Sequence, residues 1–179
     1  LLSFGGSLGA RRINEAITEL IKQLGSTGDF YHIHAAGSAG YKTMLDALSD
    51  TKLSEYTDVR EYINNMDVCM AAADLVICRS GASTLAELEA AGRASILIPS
   101  PIVAGNHQYH NAMVLGKAGA AVVVEQKDAS PKRIISEIEK LYNSPDTVAV
   151  MSQSAAKLHL SDTNERILAV IDKLIAKKK

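Results

Sequence analysis

Short apolar runs alternate along the chain with longer segments in which apolar residues recur at helical spacing. Six short runs have the length and composition of buried strands, and they comprise residues 1–4, 30–35, 59–62, 75–78, 95–98 and 121–124. Helix-length segments begin near Gly9, Ala39, Asn64, Ser83, His107 and Pro131. Strands separated by helices indicate right-handed βαβ crossovers, so the pattern predicts an α/β fold with a doubly wound parallel sheet.

Two further helices are predicted at the end of the chain, over residues 148–158 and 162–176. The second has an apolar face at helical spacing, formed by Ile167, Val170, Ile171, Leu174 and Ile175. No predicted strand follows for this face to cover. It packs either back onto this domain or onto a partner domain, and the pattern favours the first.

Length and charge narrow the class of protein. The 179 residues, 47% of them hydrophobic and 22% charged, predict one globular domain over residues 1–179. The 19 basic and 20 acidic residues are interspersed, so nucleic acid is disfavoured as a partner. The lysines at 177–179 predict a frayed, solvated end rather than a membrane contact. Because the chain opens on a strand pattern with no initiator Met, we expect a fragment of a longer protein.

The cysteines and apolar runs favour a protein of the reducing cytoplasm, either soluble or peripheral to a membrane. Cys69 and Cys78 each lie in an apolar stretch, and two cysteines cannot build a disulfide framework or a four-ligand zinc site. No apolar run approaches the roughly 18 to 20 residues that span a bilayer.

Four of the histidines occur in two close pairs. His107 and His110 lie three positions apart, but without a nearby acidic ligand they would leave most of a metal's coordination shell empty. His32 and His34 lie on a predicted strand, where we expect one to be buried and hydrogen-bonded and the other exposed. The sequence therefore predicts no metal site.

A glycine-rich loop, Gly-Gly-Ser-Leu-Gly-Ala at residues 5–10, follows the first predicted strand and opens a helix. Glycines allow a tight turn and close approach to a ligand, and the N–H groups of a helix start attract phosphate. A diphosphate cradle and a merely structural turn both fit this loop. It departs from the dinucleotide fingerprint G-x-G-x-x-G, and no acidic residue closes the second strand, so NAD is disfavoured.

A second small-residue turn, Ser80 to Ala82, joins the fourth predicted strand to a helix. Its N–H groups point out of the carboxyl edge of the sheet, where doubly wound folds bind ligands. Glu87 lies about one turn inside that helix, and its carboxylate can accept hydrogen bonds from two adjacent hydroxyls, which suits a ribose. An isolated helical Glu is ordinarily a solvated surface residue, but the turn before it favours a role in binding.

A third candidate segment is the polar loop of residues 99–112, which leads from the fifth predicted strand into a helix. Amides and imidazoles gather at the helix start, including Asn106, His107 and Gln108. Such neutral donors and acceptors suit the recognition of sugar hydroxyls.

Several motifs in this order resemble the C-terminal domain of the MurG family of glycosyltransferases, over essentially the whole chain. They are Gly-Gly-Ser-x-Gly-Ala, Cys-Arg-Ser-Gly-Ala-x-Thr-x-x-Glu, Ala-Ala-Gly before a strand, and His-Gln-Tyr-x-Asn-Ala after a proline-rich loop. The resemblance implies one half of a GT-B fold, in which two Rossmann-like domains face each other across a cleft. The sugar donor binds mainly to the C-terminal domain.

The resemblance also implies an activity: inverting transfer of N-acetylglucosamine from UDP-GlcNAc to the lipid-linked acceptor undecaprenyl-pyrophosphoryl-MurNAc-pentapeptide (lipid I). The product, lipid II, serves peptidoglycan synthesis, and with it cell wall biogenesis, cell shape and cell division. The implied location is peripheral, on the cytoplasmic face of the bacterial cell membrane. No cofactor and no obligatory metal are expected.

The donor site implied by the resemblance consists of Gly6, Ser7, Gly9, Tyr62, Ile63, Met66, Ser80, Gly81, Ala82, Thr84, Glu87, His107 and Gln108. In it the glycine loop approaches the diphosphate or the sugar, and the turn at Ser80 lies by the diphosphate. Glu87 holds the ribose hydroxyls and Gln108 contacts the N-acetylglucosamine. Tyr62 to Met66 form the uracil pocket, with the main chain near Ile63 reading the base edge. His107 stands where the family often has a second glutamine.

The general base, the acceptor pocket and the membrane-docking patch of the family lie in its N-terminal domain. We therefore expect no catalytic residue in this chain, weak binding of UDP-GlcNAc and no transfer by residues 1–179 alone. Alternatives are another GT-B donor domain, including the donor half of a two-chain UDP-GlcNAc transferase, or a nonhydrolysing UDP-GlcNAc 2-epimerase. The epimerase would need several catalytic carboxylates and a histidine, whereas the chain offers mainly Glu87. A non-catalytic nucleotide-sugar sensor or assembly module is the alternative from another class.

Overall fold

A six-stranded, wholly parallel sheet forms the centre of the molecule. The computed structural model describes residues 1–24 and 30–176. The strands are β1 (Leu2–Phe4), β2 (His32–Ala35), β3 (Thr57–Arg60), β4 (Leu75–Cys78), β5 (Ala94–Leu97) and β6 (Ala121–Val123), in the order β3-β2-β1-β4-β5-β6. This order confirms the predicted doubly wound, Rossmann-like α/β fold. The winding direction reverses between β1 and β4, which makes that gap the topological switch point.

Helices follow every strand, and two more close the chain. They are α1 (Arg11–Leu24), α2 (Tyr41–Leu48), α3 (Met66–Ala72), α4 (Ala82–Ala91), α5 (His107–Lys117), α6 (Pro131–Tyr142), α7 (Pro145–Leu158) and α8 (Thr163–Ala176), with a short 3₁₀ turn (Ala104–Asn106) before α5. Local chemistry sets several of their ends. Ser130 caps α6 by accepting a hydrogen bond from the Arg133 N–H, and Gly92 ends α4 in the left-handed conformation.

The hydrophobic core has two layers, one on each face of the sheet. Side chains of α1, α2 and α6 pack on one face, and those of α3, α4 and α5 pack on the other. Every residue of β4 and of β5 is therefore buried. Burial on both faces explains why β4 reads as a continuous apolar run and why β5 is apolar except for the small Ser95.

The third strand lies two residues earlier than the predicted 59–62. Its pairing with β2 places Val59 beside His34, and Tyr62, 60% exposed, lies beyond the strand end. β3 is an edge strand of half-buried residues, so it has no apolar run that would mark its ends. The first helix likewise begins at Arg11, two residues after the predicted start at Gly9, which has a φ of 84° that a right-handed helix does not allow.

Both histidines of β2 are buried, so the prediction that one of them is exposed was wrong. Residues two apart on a strand point to the same face. The Ser3 hydroxyl of β1 hydrogen-bonds His32 Nε2 at 2.8 Å and His34 Nδ1 at 2.7 Å. Burial lowers the pKa of both imidazoles, that of His34 to about 4. The pair is therefore held neutral inside the core.

The last helix, α8, does not pack onto this domain, which corrects the prediction that it does. All its residues are exposed, including Ile167, Ile171 and Leu174 of its apolar face. The other helices already cover both faces of the sheet, so the core does not include α8. The lysines at 177–179 lie outside the described residues.

Candidate functional site

Three segments that the sequence singled out meet at the carboxyl edge of the sheet. The glycine loop follows β1, the turn at Ser80 follows β4, and the loop of residues 98–107 follows β5. β1, β4 and β5 are neighbours in the sheet, and all its strands run the same way. The first two segments flank the switch point, where doubly wound sheets bind their ligands. Tyr62 and Ile63 follow β3 and lie further along the same edge.

The glycine loop is a tight turn closed by a hydrogen bond from the Gly9 N–H to the Gly6 carbonyl, 2.9 Å long. Both glycines have the positive φ that favours glycine, 90° and 84°. A Cβ on Gly9 would collide with the Ala36 carbonyl oxygen, whereas a Cβ on Gly6 would meet open space. Gly9 therefore serves packing, and Gly6 keeps the space above the loop free.

The loop after β2 supports the glycine loop, and the sequence reasoning missed it. A Cβ on Gly37 would collide with the backbone of Gly9, and the Ser38 N–H donates to the Ser7 carbonyl at 3.2 Å. The two loops are thus in direct backbone contact. The signal available in the sequence was the run of small residues at 35–40, Ala-Ala-Gly-Ser-Ala-Gly, directly after a predicted strand.

The turn after β4 leaves main-chain donors at the edge of the sheet. Gly81 is the N-cap of α4, with an extended backbone and no described side chain capping it. The first N–H groups of α4, including those of Ala82 and Thr84, therefore carry the partial positive charge of a helix start. Ser80 is fully buried, and its hydroxyl donates to the Gln108 carbonyl at 2.8 Å. An anion at this turn would thus be met by amides rather than by that hydroxyl.

Glu87 is exposed on the second turn of α4. Burial, and secondarily the negative charge of Glu87, raise the pKa of the Cys78 thiol. Cys78 is the last residue of β4, so the charge of Glu87 acts at the carboxyl edge of the sheet. The thiol itself is fully buried and protonated.

The residues predicted to hold uracil divide into exposed and buried groups. The ring of Tyr62 is 60% exposed, and Met66, the first residue of α3, is half-buried. The Ile63 side chain is part of the core below α3 and α4. A base bound here has the Tyr62 ring and the main chain near Ile63 available, but not the Ile63 side chain.

Gln108 lies in the first turn of α5, and its side chain closes the preceding loop. Its Oε1 accepts a hydrogen bond of 2.9 Å from the Ser100 N–H. His107 and His110 are both exposed. Asn106, the N-cap of α5, has a φ of 49°. Because Oε1 is occupied, the Gln108 carboxamide offers its N–H₂ donors to a ligand.

Arg79 was not among the predicted site residues, yet it joins three strand ends. One guanidinium nitrogen, Nη1, donates to the Ile98 and Pro99 carbonyls at 2.9 and 3.1 Å, and Nη2 donates to Gln126 Oε1 at 2.6 Å. Burial lowers the pKa of this guanidinium. The sequence signal was a single charged residue inserted between a buried strand and a turn of small residues.

Two cavities border these loops. One of about 260 Å³ lies between the loops that follow β5 and β6, against Pro99, Asn106 and Gln126. A groove of about 750 Å³ runs between α1 and α2 beside the glycine loop. Neither is lined by Glu87 or Gln108. Glu87 and Gln108 therefore lie outside both cavities, whereas Gly9 borders the groove.

The described residues offer neither a cluster of metal ligands nor a membrane-spanning helix. In residues 1–24 and 30–176, no three His, Cys, Asp or Glu side chains are grouped so that they could hold a metal ion. The expectation that the site needs no metal stays a prediction. None of the helices in the described part of the chain is both long and apolar enough to span a bilayer.

Comparison with known proteins gives a consistent result across sequence families, sequences and structures. The family model described as "Glycosyltransferase family 28 C-terminal domain" matches residues 1–167. The chain is 41% identical, over 98% of its length, to a protein of Acetivibrio thermocellus named UDP-N-acetylglucosamine--N-acetylmuramyl-(pentapeptide) pyrophosphoryl-undecaprenol N-acetylglucosamine transferase. A protein of the same name from Desulforamulus reducens is 37% identical over 99% of the chain.

A solved structure also resembles this chain over nearly its whole length. The crystal structure of MurG from Acinetobacter baumannii superimposes with a TM-score of 0.81 and 26% identity over 96% of this chain. This match uses 49% of the MurG chain, and the two sequence relatives are covered to 47% and 49%. The chain therefore spans about half the length of the proteins that it matches.

Proposed function

The chain belongs to the glycosyltransferase family 28 C-terminal domain family, and from that premise we propose that it is the donor-binding half of a MurG-type N-acetylglucosamine transferase. The observation that carries the proposal is that three loops follow adjacent strands at the carboxyl edge of the sheet, two of them flanking its switch point. The glycine loop, the uncapped start of α4 and the start of α5 lie side by side there, as a diphosphate joined to a sugar requires.

Each part of UDP-GlcNAc has a matching surface along this edge. The amides at the glycine loop and at Gly81 to Thr84 suit the diphosphate, since helix starts bind anions. Glu87, whose charge acts at the end of β4, suits the two ribose hydroxyls. The exposed Tyr62 ring suits uracil. Gln108, with its N–H₂ free, suits an oxygen of the N-acetylglucosamine.

The chemical contribution of this half is stabilisation of the leaving group. When the acceptor hydroxyl attacks the anomeric carbon, the bond to the diphosphate oxygen breaks and UDP takes up negative charge. Fixed amides near Ser7 and Ser80 face that charge without having to reorient. In this proposal, no side chain of residues 1–179 accepts or donates a proton during the transfer.

The remaining parts of the reaction belong to the other half of the protein. We propose that the acceptor is lipid I, that its pocket and the general base lie in an N-terminal domain, and that the whole enzyme works as a peripheral protein on the cytoplasmic face of the membrane. The names of the relatives and the half-length coverage support this assignment. The position of Glu87 and Gln108 outside both cavities also supports it, since a second domain would form the opposite wall of the site.

Titration calorimetry of residues 1–179 with UDP-GlcNAc, UDP-GalNAc and GDP-mannose tests the proposal. We expect binding of the uridine sugars, even if weak, and none of GDP-mannose. Equal binding of all three, or binding of GDP-mannose alone, would contradict a uridine-specific donor site. If none binds, the longer protein must show the same selectivity, or the proposal fails.

The same ligand separates a transferase from the alternatives. A 2-epimerase converts UDP-GlcNAc to its manno epimer without an acceptor, which NMR of the incubated nucleotide sugar would detect. A transferase leaves it unchanged until a lipid I analogue and the second domain are present. A sensor binds UDP-GlcNAc but leaves it unchanged, both with and without the acceptor analogue and the second domain.

A further inference from the structure

Two consecutive residues of the turn after β4 hold the β5–α5 loop at both of its ends. Arg79 donates to the Ile98 and Pro99 carbonyls, where the loop begins. The Ser80 hydroxyl donates to the Gln108 carbonyl, where the loop ends. We call this arrangement the loop clamp.

The loop clamp is connected to the Gln108 side chain. The Ser100 N–H, next to the residues that Arg79 holds, donates to Gln108 Oε1. The orientation of the Gln108 carboxamide therefore depends on where the main chain at Ser100 lies. That main chain is held on one side by the Arg79 guanidinium, which Gln126 of the next strand end braces in turn.

We infer that Arg79 is a positioning residue for recognition of the transferred sugar: it fixes the main chain at Ser100, and through that chain the donor end of Gln108. This inference rests on the proposed function, because the ligand of Gln108 is the sugar of UDP-GlcNAc. Arg79 touches neither the sugar nor the reacting atoms. Its effect is confined to the sugar end of the ligand, since uracil and ribose are read by other elements.

The contacts of the Arg79 side chain fit a positioning role better than the role of an ion-pair partner. Among the ion pairs of the described residues, none involves Arg79. Its guanidinium is held instead by three neutral oxygens from two different strand ends. The planar guanidinium has several N–H donors in fixed positions and can bond all three oxygens at once, whereas a lysine ammonium presents a single point charge.

The first test needs no ligand. In Arg79→Met, which keeps the apolar stem and removes the donors, we expect the Ser100 amide hydrogen to exchange with solvent about tenfold faster or more, on the scale of one lost hydrogen bond. Arg93→Met is the matched control: Arg93 also donates to a main-chain carbonyl, that of Ala71, but precedes β5 at the opposite edge. It should leave Ser100 exchange unchanged. Unchanged exchange in Arg79→Met would overturn the inference.

The second test measures affinity in the longest form of the protein that its gene encodes. Arg79→Met should weaken UDP-GlcNAc about tenfold and leave UDP within about twofold, since only the sugar contact is misplaced. Arg79→Lys should recover part of the loss. If Arg79 acts through Gln108, the double variant with Gln108→Ala should be no weaker than Gln108→Ala alone, whereas independent residues would multiply their losses.

The outcomes separate the two proposals. A wild-type protein that binds no uridine sugar overturns the proposed function, and the inference fails with it. A wild-type protein that binds UDP-GlcNAc, with Arg79→Met equally weakened for UDP or with losses that multiply, overturns the inference alone. If Arg79→Met does not fold, Arg79→Lys carries both tests, with a smaller shift expected in each.

Discussion

Side chains at the carboxyl edge fall into two groups, those that hold loops and those that are exposed where we propose that the ligand binds. Arg79 and Ser80 hold loops through the hydrogen bonds that their side chains donate. Glu87 and Tyr62 are exposed and face solvent. Gln108 does both, since one atom of its carboxamide closes a loop and the other is free to bind. A substitution in each group should therefore produce a different kind of loss.

Replacing Glu87 by Ala should weaken UDP binding by roughly 1–3 kcal/mol, the cost of losing charge-assisted hydrogen bonds to the ribose. Calorimetric titration with UDP measures this loss. Glu89→Ala on the same helix is the matched control, because a residue two positions along α4 points to a different side. Equal affinity for UDP in a folded Glu87→Ala protein would remove Glu87 from the site.

Gln108 allows the loop role to be separated from the sugar role. Gln108→Glu keeps an oxygen that can accept from Ser100 but replaces the N–H₂ donors, so we expect weaker binding of UDP-GlcNAc and unchanged binding of UDP. Gln108→Ala should show the same selectivity plus faster exchange of the Ser100 amide. Equal loss of both ligands in Gln108→Glu would show that the residue acts on loop structure alone.

The sequence predicted which residues lie at the carboxyl edge, but not which hydrogen bonds they form. Motif order identified the segments that reach the edge, because a residue after a parallel strand has to lie there. It could not show that the Ser80 hydroxyl is occupied by Gln108 or that Arg79 spans three strand ends. Those bonds join residues 19 to 47 positions apart, and no local pattern encodes their geometry.

At the scale of elements, Gly6 and Gly9 of the glycine loop should differ in how much an added side chain destabilises the fold. Gly6→Ala places a Cβ in open space and should cost about 1–2 kcal/mol of stability through its left-handed backbone alone. Gly9→Ala adds a collision with Ala36 and should cost about 3 kcal/mol or more. Urea unfolding of both variants measures the difference. Equal losses would contradict the close contact of the two loops.

The buried histidines of β2 should make the fold sensitive to acid. Their pKa values are lowered from the ordinary 6.5, that of His34 to about 4, so the unfolded chain binds protons more readily than the folded one. The stability is complete above pH 6.5 and falls as the pH drops from 6.5 toward 4, by up to about 1.4 kcal/mol per pH unit for each histidine.

Urea unfolding at a series of pH values measures this dependence. Replacing His34 by Asn should make it less steep, since His32 remains, whereas replacing the exposed His107 by Asn should leave it unchanged. A free energy of unfolding that stays constant between pH 6.5 and 4.5 would contradict a neutral buried pair.

Predictability differed from element to element for a physical reason. β4 was predicted to the residue because burial on both faces gives it an unbroken apolar run. β3 was misplaced because an edge strand of half-buried residues carries no such mark, and its position is set by pairing with β2. The buried histidines were misjudged because their partner, Ser3, comes from another strand.

In the molecule as a whole, α8 is attached to the domain without being part of its core. Ending the chain at Ser161 should therefore change the free energy of unfolding by less than about 1 kcal/mol, the range of surface changes. Ending it at Asn143 instead removes Met151 and Ala155, both buried, and should unfold the domain. Thermal unfolding followed by circular dichroism compares the two.

The apolar face of α8 also bears on the longer protein. We expect that face to be covered by the second domain, the alternative that the sequence left open. In residues 1–179 alone it should promote association of the chain, and the form ending at Ser161 should sediment as a monomer at concentrations where the full chain does not. Identical sedimentation of the two forms would contradict this.

The loop clamp has a consequence for how such proteins diverge. Arg79 and Ser80 donate hydrogen bonds to the carbonyls of residues 98, 99 and 108. The Gln108 side chain accepts one from the amide of residue 100. All four are main-chain groups, and any residue provides them, with proline barred only from position 100. Residues 101–107 take no part in these four bonds, so substitutions there that keep the positive φ of Gly105 and Asn106 leave the anchorage in place. The tip of the loop can thus change during evolution while the sheet and the position of Gln108 stay the same.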